Sequence, residues 1–179
     1  MNLPNKLTLL RIILIPVFMV VLYWGFPGAT WVALAIFIIA SLTDMLDGKI
    51  ARKYNLVTNF GKIMDPLADK ILVYSAFCLM VPDPVPGWML IIILAREFVV
   101  SGMRTVAASE GIVIAAGMSG KIKTVLQMIA VPLLILAPAF PQVAAISLLA
   151  QIFLWASLVM TVYSGCEYVI KNKQVFSMK

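Results

Sequence analysis

The stretch Asp44-Met45-Leu46-Asp47-Gly48-Lys49-Ile50-Ala51-Arg52, followed eight residues later by Gly61-Lys62-Ile63-Met64-Asp65-Pro66-Leu67-Ala68-Asp69, sets four carboxylates between two strongly apolar runs. The run before it, Thr30–Thr43, has 14 residues, and the run after it, Ile71–Val81, has 11. As helices these measure about 21 and about 17 Å, short of a hydrocarbon core of about 30 Å. To span a bilayer, the second helix must continue through Asp44 and Asp47, and the third must begin before Asp65 and Asp69. The run from Trp88 reaches Arg96 and Glu97 in the same way. The charged residues therefore belong to the ends of membrane helices and imply a polar cavity there.

The rest of the chain agrees with this reading. It is 63% hydrophobic and 12% charged, with no histidine, about half the charge of a soluble domain. Further apolar runs lie at Leu7–Trp24, Trp88–Ala108, Ile122–Leu136 and Val143–Val162. They are separated by turn signals at 25–28, 82–87 and 138–141. The expectation is an all-α polytopic membrane protein of six transmembrane helices, one domain over residues 1–179, with no cleavable signal at its start. Pro4 suits the first turn of a helix that follows Asn2.

With a cytoplasmic N-terminus, all 14 Lys and Arg residues fall on the inner side and none in the three outer turns. This positive-inside asymmetry puts both termini and the carboxylates at the cytoplasmic face of the cell membrane. The net charge of +6 is then directed at anionic lipid rather than nucleic acid. Trp24, Trp31 and Trp88 flank the outer turns. Cys78 and Cys166 lie in apolar runs without ligand spacing and read as packing residues.

Asp44 and Asp47 are spaced i,i+3 and Asp65 and Asp69 i,i+4, so each pair shares a helix face. The 17 residues between Asp47 and Asp65 allow an antiparallel hairpin with both pairs at one end. Gathered carboxylates repel one another, so either some are protonated or divalent cations neutralise them. An all-oxygen set suits Mg²⁺ or Mn²⁺, and four carboxylates suffice for two ions. Gly48, Ala51 and Gly61 keep the neighbouring faces bare, and Arg52 offers a planar fork to a phosphate. The plain alternative is that the aspartates pair with Lys49, Arg52, Lys62 and Lys70 as interfacial anchors.

The pattern Asp44-x2-Asp47-Gly48-x2-Ala51-Arg52-x8-Gly61-x3-Asp65-x3-Asp69 resembles the CDP-alcohol phosphatidyltransferase signature at all eight fixed positions, and six helices with cytoplasmic termini fit that family. The resemblance implies metal ligation by Asp44, Asp47, Asp65 and Asp69, with Asp69 also the general base. It implies a seat for CDP-diacylglycerol formed by Asp44, Gly48, Ala51, Arg52 and Gly61. It also implies attack of an acceptor hydroxyl on the β-phosphorus with release of CMP, and a homodimer.

Acceptor choice rests on the remaining polar residues. Arg96 and Arg104 on the fourth helix, Lys121 and Lys123 at the start of the fifth, and Asn5, Thr8 and Arg11 on one face of the first are candidates to bind an acceptor phosphate. Lys121 and Lys123 also read simply as inside-positive anchors. Local strings such as Gly61-Lys62-x-Met64-Asp65-Pro66, Ala95-Arg96-Glu97 and Gly120-Lys121-x-Lys123-Thr124 resemble the branch whose acceptor is sn-glycerol 3-phosphate. The nearest rival is a synthase using inositol 1-phosphate. An aspartate-rich prenyltransferase would need more helices. A divalent-cation transporter would need charges in the outer half, where only Asp83 stands, in a turn. Glu97 and Glu167 receive no role from spacing.

Overall fold

The computed structural model describes residues 2–54, 58–115 and 117–177. Asp47, Gly48, Ala51 and Arg52, singled out above, are placed in a helix by their backbone, but their side-chain surroundings lie outside the described residues. Six helices follow one another: α1 (Leu3–Trp24), α2 (Ala29–Lys53), α3 (Asn59–Leu79), α4 (Gly87–Ser109), α5 (Met118–Leu136) and α6 (Ala144–Lys171). Short 3₁₀ turns follow α5 and α6, and no strand occurs among the described residues.

Local chemistry fixes the ends that matter for the site. Asn2 caps α1, its side chain accepting the Asn5 N–H at 3.1 Å, and Pro4 occupies the first turn, where no N–H is needed. The helix stops at Gly25, whose φ of 59° is left-handed. Thr58 caps α3 by accepting the Gly61 N–H at 3.1 Å. As the span lengths required, α2 runs through Asp44 and Asp47 to Lys53, and α3 starts ahead of Asp65.

By length and composition, Pro4–Trp24, Met118–Ala139 and Ala144–Lys171 could each cross a membrane, and Ala29–Asp44 is a shorter apolar helix. The middle helices fall outside that group because they carry the chemistry. Asp65, Asp69 and Lys70 interrupt α3, and Arg96, Glu97 and Arg104 interrupt α4. Large apolar side chains face outward on every helix, among them Val20, Ile39, Ile71, Ile91, Val125 and Val159. Such a surface suits lipid rather than water and marks a membrane protein.

Inside the bundle, α1 lies against α2 and α3, α5 against α6 and α2, and α4 against α6. Ala33, Ala40, Ala68, Ala76, Ala130 and Ala150 are buried, and small residues let membrane helices approach closely. Phe18 and Phe37 stack between α1 and α2 with centroids 6.1 Å apart. Of the tryptophans expected at the outer turns, Trp31 meets Phe140 edge-on and Trp88 meets Trp155.

Candidate active site

Two clusters of polar side chains are built on these helices. The first is the aspartate face, where α1 supports the carboxylates of α2 and α3. Arg11, wholly buried, donates from a terminal nitrogen to Asp44 Oδ1 at 2.5 Å. The Thr8 hydroxyl stands 2.6 Å from Asp65 Oδ1 and 3.1 Å from the Pro4 carbonyl. Asn5 accepts from the Thr58 hydroxyl at 2.8 Å, which ties the start of α1 to the cap of α3. Asn5, Thr8 and Arg11, spaced i, i+3, i+6, thus all turn toward the carboxylate helices.

Asp44 of α2 interacts electrostatically with both Asp65 and Asp69 of α3. Gly61 is buried beside them. A Cβ there would lie 3.3 Å from Asp65 Oδ2, so a larger residue would press on the carboxylate. Among the described residues, Asp69 Oδ1 is buried with no hydrogen-bond partner. A buried oxygen left unmade is costly and points to something that uses it.

That open oxygen, the second oxygens of Asp44 and Asp65 and the lack of any nitrogen or sulfur ligand fit a hard divalent cation such as Mg²⁺ or Mn²⁺. Among the described residues no three acidic side chains already form a ready-made metal cluster. Asp47, the fourth carboxylate of the pattern, lies outside that description.

The second cluster is cationic. A cavity of about 460 Å³ is lined by Lys70 of α3, Arg96, Glu97 and Arg104 of α4, Gly117, Gly120, Lys121 and Thr124 at the start of α5, and Tyr168 of α6, together with the apolar Val100, Val125, Met128 and Ile129. Lys70 is the residue after Asp69, so the cavity and the aspartate face share one turn of α3. Arg104 donates from Nε to the Tyr168 hydroxyl at 3.2 Å, with its guanidinium 5.4 Å from that ring. Arg96 donates to Ser164 at 3.0 Å and to Glu97 at 2.6 Å. Its stem crosses Gly165, where a Cβ would come within 2.9 Å of Arg96 Cγ.

Of the predicted phosphate ligands, Arg96, Arg104 and Lys121 line this cavity together. Lys123 does not: it is buried behind the wall, paired with Glu97 and 3.4 Å from the Tyr74 hydroxyl. Asn5, Thr8 and Arg11 belong to the other cluster. Lys70, Glu97 and Tyr168 also line the cavity, beyond the residues the sequence assigns to it. Lys70 was legible as the next residue after Asp69, whereas nothing in the sequence around Tyr168 marks it. Glu167 accepts from Ser119 and Lys171, tying α6 to the start of α5.

Comparison with known proteins supplies the family. The CDP-alcohol phosphatidyltransferase family pattern matches residues 1–163. The CDP-diacylglycerol–glycerol-3-phosphate 3-phosphatidyltransferase of Bacillus subtilis (strain 168) is 48% identical, over 96% of this chain and 95% of its own length. The proteins of that name in Rickettsia bellii (strain RML369-C) and Salmonella paratyphi A (strain ATCC 9150 / SARB42) are 40% and 38% identical, over 98% and 88% of this chain and 97% and 91% of theirs. With the pattern covering most of the chain and such relatives aligned along nearly all of it, this protein is a member of the CDP-alcohol phosphatidyltransferase family.

Proposed function

We propose that the protein transfers the phosphatidyl group of CDP-diacylglycerol to sn-glycerol 3-phosphate, giving phosphatidylglycerophosphate and CMP. The observation that carries this reading is the placement of a cationic cavity one residue along α3 from the carboxylate with an open oxygen. A phosphorylated acceptor needs both features: cations for its phosphate, and a base within reach of its hydroxyl. The names of the aligned relatives support the same pair of substrates.

In this mechanism Arg104, Lys121, Arg96 and Lys70 bind the acceptor's phosphate in the cavity. This orients its free hydroxyl toward Asp69. Asp69, through the carboxylate oxygen not given to a metal, accepts the hydroxyl proton as the acceptor oxygen attacks the β-phosphorus of the CDP-lipid. The new P–O bond forms as the bond to the CMP oxygen breaks, and CMP leaves with the electron pair. Arg11 and Thr8 orient Asp44 and Asp65 through the hydrogen bonds described, which is how supporting residues tune ligand geometry.

Asp44, Asp47, Asp65 and Asp69 would hold one or two Mg²⁺ or Mn²⁺ ions. Such ions, when bound, supply positive charge to the pyrophosphate of the donor. Gly48, Ala51 and Arg52, by their spacing from Asp44, and Gly61, by its spacing from Asp65, are the proposed seat of the cytidine diphosphate group. All six helices are taken to cross the cell membrane, with both termini and the site cytoplasmic and two copies forming a homodimer. The one-sided distribution of Lys and Arg supports that orientation.

The test is CMP release by the purified protein with CDP-diacylglycerol and Mg²⁺, scanned over glycerol 3-phosphate, inositol 1-phosphate, inositol and serine. Release should require glycerol 3-phosphate. Release with serine or inositol in its place would overturn the acceptor assignment.

A further inference from the structure

The proposed reaction gives no role to Glu97, the acidic residue at the centre of the cationic cluster. Its side chain is 8% exposed and reaches three cations from three helices. Lys123 of α5 pairs with Oε1, Arg96 of α4 donates to the same oxygen at 2.6 Å, and Lys70 of α3 stands 3.2 Å from Oε2. A buried acid needs only one base to be neutralised, and Lys123, 3% exposed and absent from the cavity wall, meets that need. The other two partners both line the cavity.

Lys70 and Lys123 also act electrostatically on Asp69, so the cluster adjoins the base as well as the cavity. Lys70 is further held by Ser101 at 3.2 Å, and Arg96 by Ser164 at 3.0 Å. One carboxylate thus fixes where two long, flexible cations stand, between the base and the bound acceptor.

Building on the proposed function, we infer that Glu97 is a positioning residue: it holds Lys70 and Arg96 at the boundary between the Asp69 face and the cavity, where they meet the phosphate of the acceptor. Its carboxylate touches neither substrate. Lys70 and Arg96 carry the excess positive charge, and Glu97 decides its location. Without it both side chains extend toward water, and preorganised charge is lost for the acceptor rather than for the lipid.

The experiment compares the full-length purified wild type, Glu97→Asp, Glu97→Gln and the double variant Glu97→Gln/Lys123→Met in CMP release. The KM for glycerol 3-phosphate and for CDP-diacylglycerol are measured separately. The wild-type dependence on glycerol 3-phosphate tests the proposed function, and the variants test the role of Glu97. Glu97→Gln should raise the acceptor KM by about tenfold or more, as for loss of charge-assisted contacts, with the lipid KM within about twofold. Glu97→Asp should recover part of that loss. Glu97→Gln strands Lys123 without a counter-charge, so the double variant, which removes the buried acid and its buried base together, covers the case of poor folding. Its acceptor KM should stay raised, because Lys70 and Arg96 keep only their hydroxyl contacts to Ser101 and Ser164 and lack the carboxylate that fixes them together. An acceptor KM at the wild-type value in a folded Glu97→Gln or double variant, or equal rises in both KM values, would overturn the inference.

Discussion

Asp69 and Lys70 are neighbours in sequence with opposite tasks, one an open acid oxygen and the other a cation at the cavity wall. Asp69→Asn keeps the shape of the side chain and one oxygen for the proposed metal but removes the proposed proton acceptor. Its kcat should fall by about 10²- to 10⁴-fold while CDP-diacylglycerol binding, read by equilibrium titration, stays near wild type. Arg104 lines the cavity proposed for the acceptor, so Arg104→Ala should raise the KM for glycerol 3-phosphate about tenfold or more and leave the lipid KM nearly unchanged in steady-state assays. Gly61→Ala places a methyl group 3.3 Å from Asp65 Oδ2. Turnover should drop severalfold in the same assay without loss of folded protein. The gathering of Asp44, Asp65 and Asp69 was legible from spacing, because carboxylates paired on helix faces at the edge of apolar runs are costly to keep without a use, while Asp47 lies outside the described side chains. The partners of Glu97 were not, since Lys70, Arg96 and Lys123 stand on three helices and converge only through packing.

At the scale of elements, the shortness of the apolar runs was enough to extend α2 and α3 through their charges, and both helices do run that far. What the sequence withheld was the direction of the α1 face. Asn5, Thr8 and Arg11 share a face by spacing, yet polar residue types alone do not say whether that face meets the acceptor cations or the carboxylates. Packing of α1 against α2 and α3, with the cap residue Thr58 bonded to Asn5, turns it to the carboxylates. Thr58 serves two helices at once. Thr58→Ala should therefore lower stability by about 1 kcal/mol or somewhat more, seen as a reduced Tm in detergent, with a fall in turnover from loosened Asp65 support. Gly165 of α6 carries the stem of Arg96, so Gly165→Ala must displace that side chain and raise the acceptor KM.

Along the described residues, charge and hydropathy divide the protein into an apolar body and one polar end, and that end is the proposed site of phosphatidyl transfer. A cysteine placed at Asp83, in a background lacking Cys78 and Cys166, should react with an impermeant thiol reagent from outside intact cells. One at Lys173 should react only after the membrane is opened. The opposite pattern would reverse the assigned orientation. The central claim, that the carboxylate end of α3 performs the transfer to a phosphorylated acceptor beside it, is tested most directly by following CMP release and phosphatidylglycerophosphate formation in one purified, Mg²⁺-supplied reaction, for wild type and Asp69→Asn side by side. The account predicts equal amounts of the two products from wild type, dependent on glycerol 3-phosphate, and almost none from the variant. Product formation by Asp69→Asn at the wild-type rate would contradict it.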